Sequence, residues 1–199
     1  MSWKRGAYPE FTLEDAVAVI YLLQKPVGRK TISEILELGE GSVRTLLRKL
    51  SALGLIESSQ RGHTLSEKGR SIAEKISKHF SEAIESGRIE GKPAYTLLVR
   101  DPGDFKSIEL RDEAIRFHAR GALLLVVRDG RTVFPEDGRP LSEAMPELAK
   151  ELEGMPLEEG ALIVVTWAES PARALKSAYH VALFLKGRAL PEEIKSLVR

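Results

Sequence analysis

From Thr31 to Gly69 the chain reads TISEILELGEGSVRTLLRKLSALGLIESSQRGHTLSEKG, and two apolar periodicities in it leave little choice of local fold. Ile32, Ile35, Leu36 and Leu38 fall at helical spacing, and so do Val43, Leu46, Leu47, Leu50 and Leu53. The first set predicts a short helix opened by Thr31 and Glu34, whose spacing is that of a capping box, and ended by Gly39 as a left-handed residue. The second predicts a helix from Gly41 to about Leu53 with a single apolar face. Beyond it, Gly54–Ser59 and His63–Leu65 read as two short strands around the tip Gln60-Arg61-Gly62, where Gly62 is free to take positive φ.

The polar side of the second helix carries the information. Gly41, Arg44, Thr45 and Arg48 also repeat at helical spacing, with Ser42 and Lys49 on the edges of their face. Once the leucines are buried this face looks outward, and its arginines, lysine and hydroxyls suit phosphates and base edges in a major groove about one helix wide. Small residues at the helix start let its N-terminal N–H groups come close to a phosphate. Arg29 and Lys30 precede the first helix and Arg61 sits at the hairpin tip, each placed to reach a backbone phosphate. The candidate DNA-contacting set is therefore Arg29, Lys30, Gly41, Ser42, Arg44, Thr45, Arg48, Lys49 and Arg61. Residues 28–70 hold eight basic and five acidic side chains, a net charge of +3, with the acids concentrated on the first helix. Exposed arginines also read as a solvated helix face, and a module of this kind can dock protein or RNA instead.

The runs RKLSALGLIES at 48–58 and HTLSEKGR at 63–70 resemble the recognition-helix end, wing and following helix of winged helix-turn-helix domains in prokaryotic regulators of the MarR and ArsR type. The likeness covers roughly residues 12–85. It implies an all-α winged helix-turn-helix domain in a transcriptional regulator that binds double-stranded DNA, with Ser42, Arg44, Thr45 and Arg48 facing the groove and Arg61 on the wing. The ArsR metal-sensing cysteine pair has no counterpart, because the chain contains no Cys. The two-domain layout, with RDEAIRFHARGALLLVVRDG at 111–130, resembles an archaeal family whose second domain has no assigned activity.

At 199 residues the chain is long enough for two small domains, each with a core. The polar run Glu85–Pro93, with two glycines and a proline, marks the boundary, giving domains at 1–88 and 94–199. Before the motif, Trp3, Lys4, Arg5 and Tyr8 form an arm that either follows the DNA backbone or tucks an aromatic onto the domain. Thr12 caps a helix over Leu13–Lys25. After the hairpin, Ser66 caps a long helix to about Ile84, whose Ile72, Ile76 and Phe80 recur every four residues. That stripe must meet the second domain or the same helix of a partner chain, and in such regulators it often makes a homodimer.

From Ala94 the order is β-α-β-β-α-β-α: strands at 95–99, 122–128, 131–134 and 161–168, helices at 108–120, 141–152 and 171–186, and a terminal helix at 191–198. Tyr179–Leu185 alternates enough to pass as a strand. This order predicts an α+β domain, ferredoxin-like or similar, with helices on one face of the sheet. Ligand sensing, dimerisation or both are its expected tasks, with a small-molecule effector as its expected ligand.

A net charge of +1, with 43% apolar and 30% charged residues, describes an ordinary soluble chain whose nucleic-acid contacts must be local. The Lys, Arg and Glu content fits a heat-adapted protein. Zero Cys fits a reducing cytoplasm, and no 18-residue apolar run or signal-peptide core is present, so no membrane partner is expected. His63, His79, His118 and His180 lack metal-ligand spacing, and no nucleophile elbow, dinucleotide fingerprint or kinase set occurs. Gly28-Arg29-Lys30-Thr31 follows a helix and lacks the first glycine of a phosphate loop. No catalytic, cofactor or metal residue is expected, and the chain reads as a non-enzyme. Arg116 and Arg120 admit either helical ion pairs or an anion pocket. Trp167, beside Glu169 and Ser170, admits either core packing or a ligand site at a helix start.

Overall fold

The computed structural model describes residues 10–198, so the Trp3–Tyr8 arm lies outside the described residues. The chain forms two compact units, one made of residues 1–74 together with 191–199, the other of residues 75–190. The division thus falls at Glu74/Lys75 and Leu190/Pro191, where the sequence reading placed it at 88–94.

The first unit is a helical region with one hairpin. Helix α1 (Leu13–Leu22) opens with a capping box in which the Thr12 hydroxyl accepts from the Asp15 N–H and the Asp15 carboxylate accepts from Thr12. Ala16, Val17, Ile20 and Leu23 are fully buried. Helix α2 (Arg29–Leu36) starts three residues earlier than the Thr31 capping box would place it, behind Gly28 with no side-chain cap. Its left-handed terminator is Glu37 at φ +48° and not Gly39, which instead precedes helix α3 (Glu40–Ala52) in extended geometry. The Leu38 N–H donating to the Ser33 carbonyl, and the Ser33 hydroxyl donating to the Leu38 carbonyl, hold that turn in place of a glycine. Val43, Leu46, Leu47 and Leu50 are all buried along α3, each contributing about 1.5–3 kcal/mol by removal from water.

Strands β1 (Ile56–Ser59) and β2 (Gly62–Leu65) pair antiparallel, and Val27 forms an additional bridge to His63. Helix α4 (Glu67–Ser77) is capped by Ser66, whose hydroxyl accepts from the Gly69 N–H and donates to the Gly54 carbonyl. It stops at Ser77, seven residues short of the expected end. Phe80 has left the helix: it bridges Val99, with the Ser81 N–H on the Leu98 carbonyl, and its ring lies 6.3 Å from that of Tyr179. The four-residue stripe is therefore broken after Ile76, and the long helix expected to carry it as one face does not form.

The second unit is an antiparallel five-stranded sheet with helices, an α+β layout. Its strands are β3 (Ile84–Ile89), β4 (Lys92–Val99), β5 (Gly121–Arg128), β6 (Arg131–Val133) and β7 (Leu162–Trp167), in the order β3-β4-β7-β5-β6. Strand β3 occupies what reads from sequence as helix end and linker. A bulge at Gly87 (φ +69°) and a turn at Glu90 and Gly91, both at positive φ, make those polar glycine-containing residues an edge hairpin. The central strands of the β4-α-β5-β6-α-β7 run are β7 and β5, its last and second. A ferredoxin-like sheet would have its first and third there, so the topology differs from the expected one.

Helices cover both faces, not one. Ile163, Val165 and Trp167 share a core with Leu98, Leu125 and with Leu141 and Leu148, which belong to helices α6 (Leu141–Ala144) and α7 (Pro146–Glu151). On the other face, helix α5 (Ser107–Arg116) packs against β5 and helix α8 (Pro171–Lys186) against β4 and β7, where the Thr166 hydroxyl donates to the Ala174 carbonyl. Helix α8 runs unbroken through 179–185 and is opened by Ser170 and Pro171 as their types dictate. Helix α9 (Glu192–Lys195) belongs to the first unit, with Ile194 and Leu197 buried there.

Candidate nucleic-acid interface

Periodicity along α3 decides which side chains are presented. The ridge Val43–Leu46–Leu47–Leu50 is buried, and Gly41, Arg44 and Arg48 are exposed on the opposite side, with Thr45 half-buried between them. Among the described residues neither arginine is paired with a carboxylate, so both guanidiniums keep their donors for an incoming acceptor.

The edges of this face turn inward, against the sequence expectation. Ser42 is 7% exposed and its hydroxyl donates to the Glu10 carboxylate, 3.4 Å away. Lys49 folds back so that Nζ donates to the Leu197 main-chain oxygen at 2.5 Å, with the ammonium 5.6 Å from the Phe11 ring centroid. Both residues lie about one step off the arginine line, and contacts distant in sequence claim them.

Three further cations come from α2 and the hairpin. Arg29, in the first turn of α2, lies 3.7 Å from Glu40 at the start of α3. Lys30 lies 3.8 Å from Glu34 on its own helix. Both pairs are solvent-exposed, so each is worth at most about 1 kcal/mol, less than a charge-assisted contact to phosphate. Arg61 is exposed at the hairpin tip, its N–H donating to the Ser59 hydroxyl. Gly62 fixes that tip: at φ +119° a side chain is strained, and a Cβ there would meet the Val27 carbonyl oxygen at 2.5 Å.

One residue was missed by sequence reasoning. His63 on β2 shares a hydrogen bond of 2.9 Å with the Ser58 hydroxyl, and its pKa is held below the ordinary value by burial first and by the Arg29 charge second. Val27 and His63, through two main-chain hydrogen bonds, thus join the segment before α2 to the hairpin. A lone histidine beside a tip carries no spacing signal, so only the fold could reveal it.

Elsewhere the sequence candidates resolve into ion pairs. Arg116 pairs with Glu113 and Arg120 with Glu169, which also holds Lys92, so no anion pocket forms from these arginines. Those two cations keep the Glu169 carboxyl below its usual range, the Lys92 hydrogen bond contributing most. Among the described residues no group of three or more His, Asp or Glu is arranged to hold a metal ion, and no helix is long and apolar enough to cross a membrane.

Comparison with known proteins places the chain in context. No curated protein matches it. Residues 12–71 match the family described as PH0730-like, N-terminal domain, and residues 89–185 match a domain of unknown function, DUF4443. A solved structure, the hypothetical protein PH0730 from Pyrococcus horikoshii OT3, is 53% identical, with a TM-score of 0.89 over 95% of this chain and 100% of that one. Identity of that size over nearly the whole length shows that the chain belongs to the PH0730-like family, an N-terminal PH0730-like domain followed by a DUF4443 domain.

Proposed function

We propose that this protein is a DNA-binding transcriptional regulator of the cytoplasm, acting as a homodimer and by binding, not by catalysis. One juxtaposition carries the reading: Gly41, Arg44, Thr45 and Arg48 face outward from a helix anchored by four buried apolar residues, beside a hairpin tipped by Arg61. Three helices followed by a hairpin that bridges back to Val27 support this reading, since a winged helix-turn-helix has the same order and uses the third helix for recognition. A single helix of this length touches few bases, so specific binding calls for two copies with their α3 helices about 34 Å apart, one turn of DNA. The sheet unit is then the sensing or assembly domain.

The test is fluorescence anisotropy on a random duplex library across a salt series, followed by selection of the bound sequences. Each phosphate neutralised should steepen the log–log salt dependence by about 0.9. On the selected site, Arg44→Ala should cost about 1–3 kcal/mol and relax preference at one base pair. Absence of binding to duplex at low salt would overturn the reading. It would favour instead a docking module for protein or RNA, to which the Glu40 and Glu34 carboxylates beside Arg29 and Lys30 also point.

A further inference from the structure

The second unit holds a cavity of about 510 Å³ between the outer hairpin of the sheet and helix α7. Ligand sites usually measure about 300–1,000 Å³ and combine an apolar body with a few polar groups. The apolar part here is Leu123, Leu148, Met145 and the Trp167 indole. Two features build it. Gly121 lies under the indole, where a Cβ would stand 2.2 Å from a ring carbon, so only glycine leaves Trp167 room to lie over β5. The indole N–H donates to the Glu90 carboxylate at 3.2 Å, and Glu90 itself sits at φ +52°, a left-handed position a glutamate rarely takes.

The polar rim is mainly acidic, with three carboxylates to one guanidinium. Glu90 comes from the hairpin turn, Glu147 and Glu151 from α7, and the Glu151 carboxylate rests over Gly87, where the bulge opens β3. The rim's cation, Arg88, donates to the Gly91 carbonyl at 2.6 Å and is held to the turn. An apolar, aromatic hollow edged by three carboxylates and one occupied guanidinium suits a cation with an apolar body, through charge and through the face of the indole.

We propose that this cavity binds a small organic amine, its apolar body against Trp167, Leu123 and Leu148 and its ammonium between Glu147 and Glu151. Its role as effector site rests on the regulator reading; the binding itself does not.

The chain has two tryptophans, Trp3 and Trp167, so Trp3→Phe leaves Trp167 as the reporter. The full-length variant is titrated with 2-phenylethylamine, 2-phenylethanol and 3-phenylpropionate by tryptophan emission and by calorimetry. The amine should bind about tenfold more tightly than the alcohol, and the acid most weakly. The pair Glu147→Gln, Glu151→Gln on the exposed side of α7 should bring the amine to within about threefold of the alcohol, and Leu123→Trp should abolish binding by filling the cavity. An amine no tighter than the alcohol, an advantage that survives the double substitution, or no response to the amine at about 10 mM overturns the assignment. Duplex binding is measured on the same samples: its absence alongside amine binding sinks the regulator reading only, and amine failure alongside duplex binding sinks this one only.

Discussion

Arg48 and Lys49 are neighbours on one helix and both cationic, yet their geometry assigns them opposite work. Lys49 gives a charge-assisted hydrogen bond to the Leu197 carbonyl at 2.5 Å and stands 5.6 Å from the Phe11 ring centroid. The first is worth about 1.5–3 kcal/mol and the second about 0.5–1 kcal/mol. Because the side chain is half-exposed, Lys49→Ala should cost about 1–3 kcal/mol in urea unfolding, with an unchanged denaturant slope. Its duplex affinity should keep the wild-type salt dependence. Arg48 is exposed and has no carboxylate partner among the described residues, so Arg48→Ala should alter stability by less than about 0.5 kcal/mol. It should instead lower the slope of log K against log salt by about 0.9, one phosphate's worth. Unfolding in urea and anisotropy from 50 to 300 mM salt, each run on both variants, complete the experiment; over that range a slope change of about 0.9 alters relative affinity about fivefold. A Lys49→Ala variant of native stability and reduced salt slope would show the ammonium facing DNA, and the inward assignment of the helix edge would be wrong.

Other consequences concern the hairpin. Gly62→Ala places a Cβ 2.5 Å from the Val27 carbonyl oxygen at φ +119°, endangering both hydrogen bonds between Val27 and His63. Strain of about 1–3 kcal/mol and two bonds of about 1 kcal/mol each predict a loss of about 3–5 kcal/mol, and a urea midpoint equal to wild type would refute it. His63 is harder to protonate folded than unfolded, through burial and then Arg29. The unfolded chain therefore binds the extra proton first, so the stability tied to neutral His63 is complete above its ordinary pKa of 6.5 and is lost as pH falls below it. Subtracting a His63→Gln variant's stability from wild type should give a difference that shrinks on acidification from about pH 7.5 to 5.5; a difference independent of pH would count against the assignment. In the sheet unit, Gly121→Ala forces a Cβ to within 2.2 Å of the Trp167 ring and should shift its emission while costing about 1–3 kcal/mol, measured by thermal melting; an unmoved spectrum would disprove the contact.

Legibility followed the range of the interactions. The outer line Gly41, Arg44 and Arg48, with Thr45 half-buried in it, follows from a 3.6-residue period and a buried ridge, both written within the thirteen residues of α3. Its edges were not legible, since Ser42 answers to Glu10, 32 residues away, and Lys49 to Leu197, 148 residues away. Local chemistry likewise gave the Ser66 and Ser170 caps, whereas the Thr31 cap lost to a helix that begins at Arg29. Phe80 misled because its spacing from Ile76 suits a helix, while the partners that bury it, Val99 and Tyr179, lie in the sheet unit. The polar residues 85–93 resembled a linker because a bulge and a two-residue turn use the same glycines as a flexible joint.

The return of the last residues to the first unit changes what that unit is. Ile194 and Leu197 are buried there, at 0% and 1% exposure, and Leu197 supplies the carbonyl that holds Lys49 on α3. Burying two aliphatic side chains is worth about 3–6 kcal/mol, a large share of the 5–15 kcal/mol that holds a domain folded. A fragment ending at residue 88, the boundary that composition suggests, would discard that contribution and the Leu197 carbonyl that Lys49 bonds. Such a fragment would lose packing that supports α3, and its duplex binding would misreport the affinity of the whole unit. The surface that reads DNA in this proposal is thus completed by residues more than 140 positions downstream of it, with the entire sheet unit lying between them in the chain.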